Sequence, residues 1–525
     1  MIFTEFNQSF QAASRRSRKR EAGCFENSQA QTPALRGSRP ERGQPCPREP
    51  KSRSCRTKVS ALLLVAAINA SLLILGPTSA RAQGGMPLWT NVSSGVPYGL
   101  AVDSSGNVFV GGAGIIKYSG AGTPLWTNLA HNLQFIVVDK NGNAFATDYW
   151  YDSATFNNGA LLAYSSAGVP LWTNRAPLDW NFGPIALDSS GNVFGTLIGG
   201  DHTIKYSNAG VPLWTNRNGF YAEALAVDSS GNVFVTGFVQ TPTNFYDVTI
   251  KYSNAGVPLW TNRYNPGVPD QSRDFRDIAL DSSGNVFLTG SLISNNPIGT
   301  AADDYLTVAY SNSGVPLWTN RYDGPANGGA DASAIAVDAS GNVFVTGHYL
   351  SGSATIKYSN SGVPLWTNYY DGPWAGRIAV DSGGNVFVTG SVLNAPCCPV
   401  SADVVTIAYS NAGELLWENR YNGPTDPTGI AVDRAGNVFV NASSGIFGHP
   451  SSYSTTIKYS SSLPPPVQLD FQTLNNQLVL SWTNAGFNLQ SASAVTGPFT
   501  NIVAATSPYT NSLTGSQQFF RLNGF

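Results

Sequence analysis

One phrase recurs along this chain and limits its fold more than any other feature. A clear copy reads Ile335-Ala-Val-Asp-Ala-Ser-Gly-Asn-Val-Phe-Val-Thr-Gly347, followed by Thr355-Ile-Lys-Tyr-Ser-Asn-Ser-Gly-Val-Pro-Leu-Trp-Thr-Asn368. Its aspartate returns as Asp103, Asp139, Asp188, Asp228, Asp281, Asp338, Asp381 and Asp433, 36 to 57 residues apart. Its tryptophan returns as Trp89, Trp126, Trp172, Trp214, Trp260, Trp318, Trp366 and, in the altered form Glu414-Leu-Leu-Trp, as Trp417. Each unit holds four short runs rich in Val, Ile, Phe, Tyr and Trp, bounded by Asp-Ser-Ser-Gly-Asn and Ser-Asn-Ala-Gly. Gly and Asn tolerate positive φ, and Asp and Ser oxygens cap backbone N–H groups, so these boundaries read as tight turns between strands.

Four strands per unit at this period predict an all-β chain of propeller blades. The first copy opens on a fourth-strand element, Met86-Pro-Leu-Trp-Thr-Asn91, and the last ends on a third strand, Thr456 to Ser460. Residues 86–92 are therefore expected to complete the last blade and close a ring of eight. Seven remains the alternative, if the altered unit around Val138-Asp-Lys-Asn-Gly-Asn143 forms no blade. The repeat resembles the bacterial β-propeller repeat family often called the SBBP repeat, over residues 86–460. That resemblance implies a secreted or surface propeller and carries no catalytic residues, although the family is named for seven blades.

Charge divides the chain. Residues 1–82 hold 14 Lys/Arg and 5 Asp/Glu, leaving 16 basic and 27 acidic residues in 83–525. An acidic body argues against nucleic acid as a partner. The apolar run Val59–Leu75 follows Arg53, Arg56 and Lys58 and precedes Ala80-Arg-Ala82. This is a secretory signal pattern, with cleavage expected after Ala82, a disordered basic leader before it, and a membrane anchor as the alternative. A propeller is expected over 83–460, a Pro-rich linker over 461–466, and a small β module over 467–525. The module's Leu480-Ser-Trp482, Phe487-Asn-Leu-Gln490 and Gln518-Phe-Phe-Arg-Leu522 resemble fibronectin type III-like, sandwich-like modules of secreted bacterial proteins. Cys397 and Cys398 are adjacent, so a vicinal disulfide and two free thiols are both open.

Strands that alternate direction place the uniform turns at one end of every blade and the variable connections at the other. Variable loops on a rigid frame are where binding usually resides. Candidate ligand-binding residues there are Tyr149, Trp150, Trp180, Tyr221, Tyr246, Asp303, Asp304, Tyr349 and Trp374. Aromatic rings beside carboxylates suit sugar rings. The repeat aspartates read as turn caps, because one carboxylate per turn is too few oxygens for Ca²⁺; no metal and no cofactor are expected. The four histidines, His131, His202, His348 and His449, show no metal-binding spacing. The expected function is a secreted, monomeric binding or scaffold protein facing a glycan or an extracellular protein, with no membrane span after cleavage. The alternative is an extracellular enzyme acting on polysaccharide or carrying a quinone. The Asn-Ala-Gly-Val-Pro-Leu-Trp element resembles the docking element of eight-bladed quinoprotein dehydrogenases, some of which carry a vicinal disulfide.

Overall fold

A computed structural model describes residues 63–65, 85–460 and 469–524, apart from short stretches within several loops. The rest of the leader, the linker 461–466, Cys397 and Cys398 lie outside the described residues, as do the side chains of Trp150 and Trp374.

Eight four-stranded antiparallel sheets carry the repeat. Sheet 1 runs from Leu100 to Leu129, sheet 2 from Leu133 to Arg175, sheet 3 from Asn181 to Arg217 and sheet 4 from Tyr221 to Tyr264. Sheet 5 spans Gln271 to Tyr322, sheet 6 Ala330 to Asp371 and sheet 7 Trp374 to Asn422. Each is a meander in chain order. Sheet 8 takes three strands from Asp426 to Tyr459 and its fourth, Pro87–Ser94, from the other end of the repeat region. First strands of consecutive sheets pack against one another, and that of sheet 1 also packs against that of sheet 8.

The recurring phrase explains how sheets join. Each tryptophan lies between the phenylalanine of its own sheet and the tyrosine of the next; Trp126, for example, is 5.8 Å from Phe109 and 6.2 Å from Tyr164. The Trp126 indole N–H donates to the Ser166 carbonyl at 3.1 Å, and the Asn128 amide donates to the Gly168 carbonyl at 2.7 Å. The asparagine bond recurs at all eight junctions, including Asn91 to Gly122 and Asn419 to Gly85. Only Trp417, at the altered copy, leaves its indole N–H without an acceptor among the described residues. Its acceptor turn is the one divided between the two ends of the repeat region.

The repeat aspartates close their own turns. Asp103 Oδ1 accepts the Ser105 and Asn107 N–H groups at 2.9 Å each, and Oδ2 accepts the Asn107 side-chain amide at 2.8 Å. Burial alone would push this carboxyl up; the Asn107 and Ser105 hydrogen bonds and the Lys117 ammonium outweigh it and hold it low. In seven of the eight sheets the outer strand begins with proline and carries a bulge at the following leucine, as between Pro170 and Trp172; in sheet 7 it begins at Leu415. Both features weaken pairing with a foreign strand at an exposed edge.

The C-terminal residues form two small sheets. One joins Asp470–Leu474, Gln477–Ser481 and Tyr509–Ser512; the other joins Gln518–Gly524, Phe487–Ala492 and Thr500–Asn501. Leu478, Leu480, Trp482, Leu489, Phe520 and Leu522 share one buried cluster. Leu63–Val65, inside the run read as a signal segment, pairs with Gln518–Phe520. Among the described residues no helix is long and apolar enough to cross a membrane.

Candidate functional site

The connections expected to be variable loops are in part extended hairpins. Val286–Asn295 and Ala301–Tyr310 pair along ten residues each. Asp303 and Asp304 are therefore neighbours on a strand, where successive side chains point to opposite faces. Asp304 is 1% exposed and its Oδ2 accepts the Arg321 Nε–H at 2.5 Å. The loop pair of carboxylates expected from the sequence is thus corrected: Asp304 belongs to the interior, neutralised by the outer strand. Tyr349 is corrected likewise. It is 7% exposed, in the sheet 6 core, because Val343–Tyr349 turns directly into Gly352–Tyr358.

The remaining candidates sit at the loop end but are spread over several sheets. Tyr149 is half-buried on the strand Ala144–Asp152, which also carries Trp150. The Trp180 ring lies 5.0 Å from that of His202, beside Asp201, whose carboxylate accepts from Arg217 Nε at 2.9 Å. Tyr221, 37% exposed, lies 5.5 Å from Phe238, and the Arg263 guanidinium covers Tyr246 at 5.4 Å. Trp374 opens the first strand of sheet 7. Among the described residues no group of three or more His, Cys, Asp or Glu converges as a metal site.

A tighter cluster, unmarked in the sequence reading, forms at the loop end of sheets 5 and 6. Arg276 Nη1 donates to Asp331 Oδ1 at 2.7 Å, and the Ser291 hydroxyl donates to the same oxygen. His348 pairs with Asp331 across the ladder. Desolvation holds the His348 imidazole below its usual range; Asp331 and Asp303 oppose that shift and Arg276 reinforces it. His348 is therefore neutral at pH 7. Deeper on the first strand of sheet 5, Asp277 accepts the Ile278 and Ile335 N–H groups at 2.9 Å each. Burial pushes its carboxyl up to about 6, against these two bonds and the Arg377 charge. Arg377, on sheet 7, donates from Nε to the Thr428 carbonyl at 3.1 Å and from Nη1 to that of Gly376 at 2.9 Å. A signal for these residues exists. Four positions before the repeat aspartate, the other six units carry Gly99, Phe135, Pro184, Ala224, Ala334 and Gly429, whereas sheets 5 and 7 carry Asp277 and Arg377.

Comparison with solved structures places this geometry. A structure described as the Dos1 propeller superposes with a TM-score of 0.50 at 10% identity, over 72% of this chain and 95% of its own. The fold is a β-propeller. Virginiamycin B lyase from Staphylococcus aureus matches with a TM-score of 0.39 at 12% identity, over 70% of this chain and 98% of its own. Dipeptidyl peptidase 4 from Porphyromonas gingivalis matches with a TM-score of 0.42 at 11% identity, over 76% of this chain and 65% of its own. No family model and no curated protein matches the chain. At 10% identity the likeness to the Dos1 propeller shows the fold alone.

Proposed function

We propose that the chain is a secreted, eight-bladed propeller of the SBBP type that binds a saccharide at its loop end. The strand Pro87–Ser94 completes the eighth blade and closes the ring, and the C-terminal module serves as an accessory unit for attachment. Closure is supported by the contact between the first strands of sheets 1 and 8 and by the Trp89 and Asn91 bonds into sheet 1. Secretion rests on the leader pattern alone.

The observation that carries the binding reading is the contrast between the two ends. At the turn end, every repeat aspartate accepts N–H groups of its own turn in the same way, so the turns repeat one structural arrangement. At the loop end of sheets 3 to 6, rings and charges gather without repeating: Trp180 with His202, Tyr221 with Phe238, and Arg276, Ser291 and His348 around Asp331. Rings offer a stacking surface for the C–H face of a sugar, and the adjoining polar groups offer hydrogen bonds to its hydroxyls. Thermal melting of the purified protein against a panel of oligosaccharides and polysaccharides tests the reading. A bound saccharide at about 100 times its dissociation constant adds roughly 2.7 kcal/mol. The expected result is a raised midpoint for at least one saccharide that Tyr221→Ala reduces; a flat panel contradicts saccharide binding and moves the partner to protein.

One observation favours a hydrolytic second reading. His348 is neutral and has two carboxylates near it, which suits a general base. Product analysis with the saccharide that shifts the melt decides between the two. Cleavage that His348→Ala abolishes makes the site an enzyme, and an intact saccharide leaves it a binding site.

A further inference from the structure

The turn end is uniform in phrase but not in charge. The residue after each repeat aspartate is Ser104, Ser189, Ser229, Ser282 and Ser382 in five units and Ala339 in a sixth. In the other two it is Lys140 and Arg434, on sheets 2 and 8, which flank Ser104 on sheet 1. These three turns enclose an open cleft of about 230 Å³. Val102, Val138 and Val432, the last residues of three first strands, give it a small apolar patch. Lys140, Arg434 and Ser104 are exposed at its rim, and neither cation has an ion-pair partner among the described residues.

Asp103, Asp139 and Asp433 also line the cleft. Each accepts two backbone N–H groups on Oδ1 and an asparagine amide on Oδ2. Asp103 Oδ2 also faces the Lys117 ammonium at 3.5 Å, so the lone pairs left to accept from a ligand hydroxyl are on Asp139 and Asp433. A compact inorganic anion offers no hydroxyl to the carboxylates and no apolar face to the valines that line the cleft. A ligand that carries both an acid and several hydroxyls fits all of the lining at once. Its carboxylate would pair with Lys140 and Arg434, its hydroxyls with Asp139, Asp433 and Ser104, and its C–H face with the valines.

We propose that this cleft binds a sugar acid, that is, a single pyranose ring bearing a carboxylate, either free or as one residue of an acidic polysaccharide. The site is separate from the loop-end site above, and the two can fail independently. Lys140→Ser and Arg434→Ser give these turns the residue that five of the others already carry, so the fold should be retained.

The test is isothermal titration calorimetry of the purified protein at low salt with galacturonate, trigalacturonate, the methyl ester of the trimer, and sodium sulfate. The expected result is binding of the acids, with affinity at least tenfold weaker for the ester and for the Lys140→Ser/Arg434→Ser variant, and unchanged in Tyr221→Ala. Trigalacturonate binding much tighter than the monomer identifies a polysaccharide residue, and equal affinities identify the free acid; both support the site. Sulfate binding as tightly as galacturonate, equal affinity for acid and ester, or no heat with either acid overturns it. Should the double variant fail to fold, the acid–ester comparison on the wild-type protein still decides. Loss of acid binding in Tyr221→Ala with retention in the double variant would overturn this site and support the loop-end one instead.

Discussion

Asp277 is the residue at which charge and fold are most directly coupled. Its carboxyl is raised to about 6 in the folded protein from an ordinary value of 3.8. Above pH 6 it is ionised in both states, and the folded state bears the desolvation. Between about pH 6 and pH 4 the folded state alone takes up the proton, so Asp277 gains stability as pH falls through that window. Asp277→Asn removes this titration. The melting difference, variant minus wild type, should be more positive at pH 8 than at pH 5; a difference independent of pH would show that the carboxyl is not desolvated. Comparison across the repeats makes this residue legible, because a charge replaces Gly, Ala, Pro or Phe at a first-strand position. Its partner is not legible. Ile335 lies on another sheet, and only the packing of first strands brings its N–H to the carboxylate.

At the scale of the element, the Ser-Asn-Ala-Gly turn acts as a socket for the tryptophan of the preceding sheet. Gly256 has φ of +81°, and a Cβ there would lie 2.9 Å from the Trp214 ring. Gly219 has a similar φ of +77° but nothing within 4 Å of the same added atom. Gly219→Ala should cost about 1–2 kcal/mol of backbone strain. Gly256→Ala should cost roughly 1–3 kcal/mol more, because the indole must move. Denaturant unfolding of the two variants checks this, and equal costs would contradict the socket. The turns and the four strands were legible because their residue types recur eight times. The long hairpins of sheets 2 and 5 were not. Tyr149-Trp150-Tyr151 and Asp303-Asp304 lie in runs that match no repeat, and their alternation became visible only once a partner strand set the register. That is why Asp304, read as a ligand-facing carboxylate, turned out to be buried against Arg321.

At the scale of the whole molecule, the central question is whether the two ends of the repeat region meet. In the proposed ring, the strand from residues 87–94 fills the last place in the eighth blade and covers what would otherwise be an open sheet edge. The sequence pattern suggested it because the fragments at the two ends are complementary. Trp89 is the residue on which the proposed closure depends. It packs 6.1 Å from Phe439 of sheet 8 and 6.1 Å from Tyr118 of sheet 1, and its indole N–H donates to Gly120 at 3.1 Å. Trp214 makes the equivalent contacts inside the array, 5.9 Å from Phe194 and 6.0 Å from Tyr252. The most direct measurement is therefore paired unfolding of Trp89→Ala and Trp214→Ala. In a closed ring both should lower stability by a similar amount, about 3 kcal/mol. A Trp214→Ala variant that is destabilised beside a Trp89→Ala variant that melts like the wild type would show that residues 87–94 do not close the propeller.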